Sequence, residues 1–511
     1  MTAQHFDVVV VGGGSAGSVL AARLSENDDR QVALIEAGVA PTDPDIAKPA
    51  MWPFIQGRDY DWAYETVPQP GTANRIHPWP RGRVLGGSSC LHAMAHVRGH
   101  PDDFAVWAEA TGSDRWSYDG LLPGFLRSER FSGGASELHG GDGPLPVWLP
   151  DEEVNPVVRA YIAAGHERGV PTLPDHNGRN LNGTSPNSLT IRDGKRVSVA
   201  DAYLTDDVRA RPNLTILTGV SVHRLVIDGN RVTGLAVTRD GRDETITGDE
   251  IILSTGSVAT PLLLMRSGLG DPDVLRRAGV ECRLSRPAIG QNLHDHLLGA
   301  GNVYRSSQAV PPTKLQHSES LMYLNAADIT EAKGVPDIVL GCVTGPSVSE
   351  SFAAVAPGFA YTFLFGVTHP SSRGYLSIGG PDLHDKPVID PAYLQTDHDR
   401  TTFRRALDVA REIGSAQALT AWKAEELLPG PGVRTTAEID DFIARAVITH
   451  HHPVGTCRMG KDADAIVDAD LRFNGLDNLS IVDASVIPTI TSGPVHAAVL
   501  AIAETFAAGR R

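Results

Sequence analysis

An α/β fold, a mostly parallel sheet flanked by helices, joined to a second α+β region of sheet backed by helices, is what this sequence predicts, on three observations. The chain opens FDVVVVGGGSAGSVLAARLSE, a buried strand from Phe6 to Val11, a glycine turn and an amphipathic helix from about Ala16, and a second strand, QVALIEAG, follows. DEIILSTGSVATPLLLMRSGLG repeats the strand-into-helix pattern, and LSIVDASVIPTITSGPVHAAVLAIAETFAAG adds a strand, an ordered turn and a last helix. Between about 300 and 445, strand-like GYLSIGG is mixed with helical TTFRRALDVAREIG, as in a sheet backed by helices. At 511 residues the chain exceeds one ordinary core and has room to enclose a sizeable cofactor.

The first strand, helix and strand carry Gly12, Gly14 and Gly17 in the order G-x-G-x-x-G, with Ser15 and Ala16 filling the turn. Alone the pattern is weak. Here the glycines leave a strand and open a helix, and Glu36 ends the next strand about 20 residues on, where an acid binds a ribose in the Rossmann fold. The helix start suits a pyrophosphate, because its unpaired N–H groups and dipole attract anions.

From Trp52 to Trp79 the chain is rich in proline and aromatics without periodicity, and a long ordered loop in a compact enzyme usually covers something. PRGRVLGGSSCLHAMAHVRG then reads as a paired-glycine turn running into a helical stretch capped by Ser88 and Ser89. NLTILTGVSVHRLVIDGNRVTGLAV alternates with period two and reads as a hairpin region.

Composition excludes several functions. The 61 acidic against 45 basic residues give a formal charge of −16, which repels nucleic acid and anionic membranes. No apolar run is long enough for a membrane span or a signal-peptide core. Cys90, Cys282, Cys342 and Cys457 are scattered, which fits free thiols in a reducing compartment. A soluble cytoplasmic enzyme is expected.

ITHHHPVGTCRMG sets three histidines before a proline. Imidazole is both a common general base and a common metal ligand. Pro453 favours an extended His452, and in an extended segment His450 and His452 share one face with His451 opposite. No Cys or His/Glu pair at ligand spacing follows to complete a zinc site, so no metal is expected. Pro494, after Ser492 and Gly493, is placed to start a helix with His496 in its first turn.

With GRVLGGSS from Gly82, GSVATPLLLMRSGLG from Gly256, GQNLHDH at 290 to 296, and HPVGTCRMG with VDASVIPTITSGPVHAA, the chain resembles the glucose–methanol–choline oxidoreductases, flavoenzymes, from Phe6 to Ala508. The resemblance implies a Rossmann-like FAD-binding domain of segments 1–145, 197–297 and 449–511, and a discontinuous substrate-binding domain of sheet plus helices from 146–196 and 298–448. It implies that Gly12, Gly14, Ser15, Ala16 and Gly17 hold the FAD pyrophosphate, Glu36 the adenosine ribose, and the backbone of Val222 the adenine. Arg83, Gly86, Gly87, Ser88, Leu91, His92 and Ala93 would lie along the flavin, with Asp483 and Ala484 near the pyrophosphate and ribityl chain. Leu91 stands where members with a covalent flavin have a histidine, so dissociable FAD is expected.

The same resemblance makes His452 and His496 the catalytic pair, with His496 also against the flavin. LHAMAHVRGHP, KLQHSES, VSESF and THHHPVGTCRMGKD are most similar to members that oxidise the pyridine alcohol pyridoxine to pyridoxal, which gives His450 and Pro494 to the substrate pocket. The implied reaction is proton removal by His452 with hydride transfer to flavin N5. The expected partners are that small alcohol and dioxygen or another electron acceptor, with the chain a monomer. A choline-like or other primary-alcohol dehydrogenase, and a non-redox lyase with structural FAD, are the alternatives. A choline site would call for an aromatic or acidic cage.

Overall fold

The computed structural model describes residues 4–510. Its opening forms strand β1 (Gln4–Val11), helix α1 (Ser15–Leu24) and strand β2 (Val32–Glu36). β1 and β2 run parallel, Val8 beside Val32 and Val11 beside Ile35. On its other side β1 is parallel to Arg242–Leu253, Val9 beside Ile251. Every residue of β2 is buried, as in a strand covered on both faces, and this is why the strands read as unbroken apolar runs.

The sheet has seven strands in the order Leu214–Thr218, β2, β1, Arg242–Leu253, Arg231–Arg239, Val220–Asp228, with Leu479–Ile481 parallel to Arg242–Leu253. The expected hairpin is the antiparallel pair Val220–Asp228 and Arg231–Arg239. Helix His496–Ala508 packs against α1 around the buried carboxylate of Glu504, which accepts from Arg23 Nε at 2.9 Å and from the Tyr203 hydroxyl at 2.8 Å. This pairing fixes the helix that carries His496.

A second seven-stranded sheet, antiparallel, runs Lys423–Leu428, Leu297–Ser306, Ala360–Val367, Ile338–Val343, Ser318–Leu324, Gly183–Pro186, with Val447–Thr449 also on Leu297–Ser306. Helix Asp397–Gly414 backs it through Phe403, Ala406, Leu407, Ala410 and Ile413, an apolar stripe at helical spacing. Among the described residues no helix is long and apolar enough to cross a membrane.

One expected helix is nearly absent. After the paired glycines there is only a 3₁₀ turn, Gly87–Cys90, and the chain is irregular as far as Pro101–Thr111. Gly86, Gly87 and Met94 take φ of 103°, 54° and 61°, incompatible with a right-handed helix. Ser88 and Ser89 do not cap the expected helix: Ser89 Oγ donates to the Gly86 carbonyl at 2.6 Å and accepts at 2.9 Å from Val199 N–H, at the start of a distant helix, Val199–Tyr203, and Ser88 Oγ accepts from Gly82 N–H at 3.2 Å. Short hydroxyls bonding nearby backbone compete with helix in this way.

Candidate active site

A cavity of about 1250 Å³ lies beyond the C-terminal ends of β1 and Arg242–Leu253, bounded across by Leu298, Leu321 and Leu364 of the second sheet. It exceeds the roughly 300–1,000 Å³ of ordinary ligand pockets and sits where open α/β sheets bind nucleotides. The aromatic loop does cover something: Trp52, Phe54, Trp62 and Tyr64 form part of the wall.

The glycine turn is built for close approach. Gly12 has φ 101°, and a Cβ there would meet the Ser254 carbonyl at 2.5 Å. A Cβ on Gly17 would strike the Gly12 carbonyl at 1.8 Å, so only glycine lets α1 pack so near β1. Gly14 is open: its Cβ would meet only Gly87 Cα, at 3.9 Å. No side chain caps α1, and Gly14, Ser15 and Ala16 line the cavity, leaving first-turn N–H groups for an anionic ligand. Glu36, also in the wall, accepts from Gly13 N–H and Gly38 N–H, both at 2.8 Å, and keeps lone pairs for a sugar hydroxyl. Burial pushes its pKa up to about 7. Val222 borders the cavity from an edge strand, at a bulge between Val222 and Arg224, where backbone groups escape the ladder.

Gly87, Ser88, Leu91, His92 and Ala93 also line the cavity. His92 Nδ1 faces Met94 N–H at 2.9 Å and Arg196 Nη1 at 3.1 Å, both donors, so the ring proton is on Nε2, which is buried without a protein partner. His496, first residue of its helix, meets His92 edge-on with ring centroids 4.7 Å apart, and neither of its nitrogens has a partner. Buried polar edges of this kind are normally satisfied, which assigns them to a bound ligand. Burial lowers the His496 pKa to about 3 and that of His92 well below the usual imidazole value, so both are neutral.

Other expected residues are placed differently. Asp483 and Ala484 border the cavity, but the Asp483 carboxylate is taken up inside the protein: one oxygen accepts from Gly256 N–H and Thr260 Oγ1, the other from Ser485 N–H and Oγ. It shapes the turn before helix Gly256–Arg266 rather than offering a free carboxylate. Gly86 and Gly17 act behind the wall, Gly86 N–H donating to the Gly13 carbonyl at 2.7 Å. Arg83 is exposed, donates to the Asp59 carbonyl and lies over Trp62, and its charge opposes the burial that raises the Glu36 pKa. The arginines in the wall are Arg81 and Arg266.

Pro494 lines the cavity just ahead of the helix rather than within its first turn. The histidine segment is not extended as expected. Strand Val447–Thr449 ends, and His451 takes φ 67°. His451 N–H donates to Thr449 Oγ1, its carbonyl accepts from Arg81, and His452 N–H donates to Asp295 at 2.7 Å, bonds that hold a turn. The turn brings the His450 and His452 rings to 4.3 Å, while His451 also borders the cavity instead of facing away.

His296 is the residue that sequence reasoning missed. Its Nε2 lies 2.7 Å from the Thr368 carbonyl, which only accepts, so Nε2 carries the proton. Burial lowers the His296 pKa to about 3, so the ring is neutral and its Nδ1 is an acceptor. That Nδ1 is 2.9 Å from His452 Nδ1, so His452 donates there. His452 is itself neutral, its pKa driven far down by burial and then by His450 and His296. Its Nε2 is therefore left as an unprotonated lone pair in a cavity-lining ring. Asp295 anchors the turn, accepting also from Thr449 and Tyr393 hydroxyls at 2.6 Å. The only sequence signal for this layer was GQNLHDH, whose role lay in a contact between distant segments.

GMC oxidoreductase family models match residues 6–298 and 370–503. Pyridoxine 4-oxidase of Microbacterium luteolum is 57% identical over 506 residues, covering 99% of both chains. The oxygen-dependent choline dehydrogenase of Vibrio vulnificus is 35% identical over 528 residues, covering 98% of this chain and 93% of its own. Among solved structures, pyridoxine 4-oxidase from Mesorbium loti matches with a TM-score of 0.97 at 57% identity over 99% of each chain. A formate oxidase of Aspergillus oryzae matches at 0.91 and 26% identity, over 99% of this chain and 98% of its own. A nucleotide-type glycine turn and a histidine pair lining one cavity, both inside the matched segments, agree with these likenesses, and the chain belongs to the GMC oxidoreductases.

Proposed function

We propose that the protein binds FAD without a covalent link and oxidises pyridoxine at its 4-hydroxymethyl group to pyridoxal, with dioxygen as acceptor. Full-length identity of 57% to two pyridoxine 4-oxidases supports the substrate, and the open glycine turn with the unpartnered edges of His92 and His496 supports the cofactor. The observation that carries the chemistry is the fixed tautomer of His452, whose free Nε2 faces the cavity.

Bound FAD supplies two-electron acceptance. His452 Nε2 takes the hydroxyl proton of the substrate, work typically worth about 10²–10⁴-fold. The positive charge that this creates is shared, because His452 Nδ1–H donates to His296 and His296 Nε2–H to the Thr368 carbonyl. His450, beside His452, holds the pyridine ring with Pro494. The N-terminus of helix His496–Ala508, with His496 at its first position, favours negative charge on whatever ring lies against it. Leucines and valines around these groups keep water out and strengthen each interaction.

Anaerobic mixing with pyridoxine, choline and benzyl alcohol tests this. Pyridoxine should bleach the flavin far faster than the others. Equal rates, or choline ahead, would return the chain to the general alcohol-dehydrogenase reading, and no bleaching by any alcohol would favour a lyase. Peroxide formed one-to-one with pyridoxal in air would establish the acceptor.

A further inference from the structure

We propose that His296, His450 and His452 also form a site for one divalent transition-metal ion, which takes the place of the proton between His296 and His452 and reversibly disables the base. The inference rests on the reading of His452 as base. A ligand nitrogen from each of the three rings lies within 4.8 Å of the others. No local spacing assembles them, because the third imidazole comes from the strand start beside His450, whose N–H donates to the His296 carbonyl at 2.8 Å.

The geometry is close to what such an ion needs. A tetrahedral ion with bonds of about 2.0–2.1 Å holds neighbouring nitrogens roughly 3.3 Å apart, and the two Nδ1 atoms stand at 2.9 Å, so an opening of a few tenths of an ångström admits it. The His450 ring is 4.3 Å from His452 and 6.3 Å from His296, ready to turn in as the third ligand. The outer partner is already present: His296 Nε2–H donates to the Thr368 carbonyl, the arrangement that orients metal-bound imidazoles. His296 is buried and the His450 and His452 rings are partly buried in the cavity wall, which keeps the three nitrogens together without the ion. Asp295 offsets the ion's charge from behind the turn, and Arg81, bonded to the His451 carbonyl, opposes it. An all-imidazole set suits zinc, nickel, cobalt or copper and not magnesium or calcium, which take oxygen ligands.

Protons balance. His452 Nδ1 gives its lone pair to the ion, and the proton it carried reappears on Nε2. The nitrogen that faces the substrate then has nothing to accept a proton with, and the ion also occupies space beside it. No redox step is involved when the ion is zinc.

The test uses the flavin-loaded enzyme, with zinc counted by equilibrium dialysis and flavin reduction by pyridoxine followed anaerobically. Wild type should hold about one zinc per flavin more than either His450→Ala or His296→Gln, and its reduction rate should fall about tenfold or more, recover on chelation, and ignore magnesium. The residual rates of both variants should be insensitive to zinc. Equal zinc content in all three proteins, or equal sensitivity, would overturn the site. One zinc that depends on these histidines but leaves the wild-type rate untouched would overturn the disabling of a base, and with it the role of His452. Two variants guard against one that fails to keep its flavin.

Discussion

The Nδ1 atoms of His296 and His452 face each other at 2.9 Å, and only one of them holds a proton. The Thr368 carbonyl decides which, by claiming the proton of His296 on the other side of its ring. His452 is thereby fixed as a base toward the cavity by a chain of contacts that ends in backbone.

His452→Ala should slow flavin reduction by about two to four orders of magnitude with FAD retained. His296→Ala should cost about one to two orders in the same step without raising the Michaelis constant, because the substrate contacts remain and only the tautomer is released. His296→Gln, whose amide oxygen still accepts from His452 Nδ1–H, should recover part of the loss. Stopped-flow reduction by pyridoxine checks all three, and a His296→Ala enzyme as fast as wild type would remove the relay.

His450→Ala should raise the Michaelis constant more than it lowers turnover, since its ring lies against His452 without holding the transferred proton. His451→Gly suits φ 67° and keeps the carbonyl that Arg81 binds, so reduction should stay within a few-fold of wild type. A severe loss at His451 with His450 dispensable would reverse the two roles.

Leu91 is buried, borders the cavity and offers no nucleophile to a flavin. Acid precipitation should leave FAD in a yellow supernatant. Colour retained in the pellet would show a covalent bond to another residue.

Stability should fall with pH below about 6.5. His77, His96 and His176 have pKa values lowered to about 4, and His294 and His296 to about 3, mainly by burial. Each folded value lies below the unfolded one, so between about 6.5 and 4 the unfolded chain binds more protons and gains. The stabilisation is whole above about pH 6.5 and is lost as pH drops toward 4, roughly 1 kcal/mol per imidazole by pH 5.5. Urea midpoints at pH 8.5, 7.5 and 5.5 should be nearly equal for the first pair and drop at the third.

Glu504 is 1% exposed and accepts from Arg23 and Tyr203, with Arg127 Nε at 3.4 Å. Glu504→Ala strands the buried end of the Arg23 guanidinium and should cost about 3–5 kcal/mol. The shift in urea midpoint at constant slope measures it.

What the sequence determined by itself was local. The apolar runs of β1 and β2, the glycines between them and the acid at Glu36 specify strand, turn and helix through neighbours only a few residues away, and the resemblance to a flavoenzyme family rests on the same short stretches. His450, His452 and His496 were legible in this way. The tertiary structure decided the rest. Antiparallel pairing of Leu297 with Thr449 sets His296 beside His452 across 156 positions of chain, and no local period encodes such a pairing. It also lets the side chain of Asp295 claim the amide of His452, which with Thr449 overrides the extended course that Pro453 suggests, turns His451 left-handed and brings two imidazoles together. Arg81 lines the wall, held by the His451 carbonyl from a distant segment, while Arg83 is exposed and donates to the Asp59 carbonyl. Proton position, the property on which the chemistry depends, is thus set by hydrogen bonds between residues far apart in sequence, because a buried nitrogen must take its partner from whatever the fold brings near.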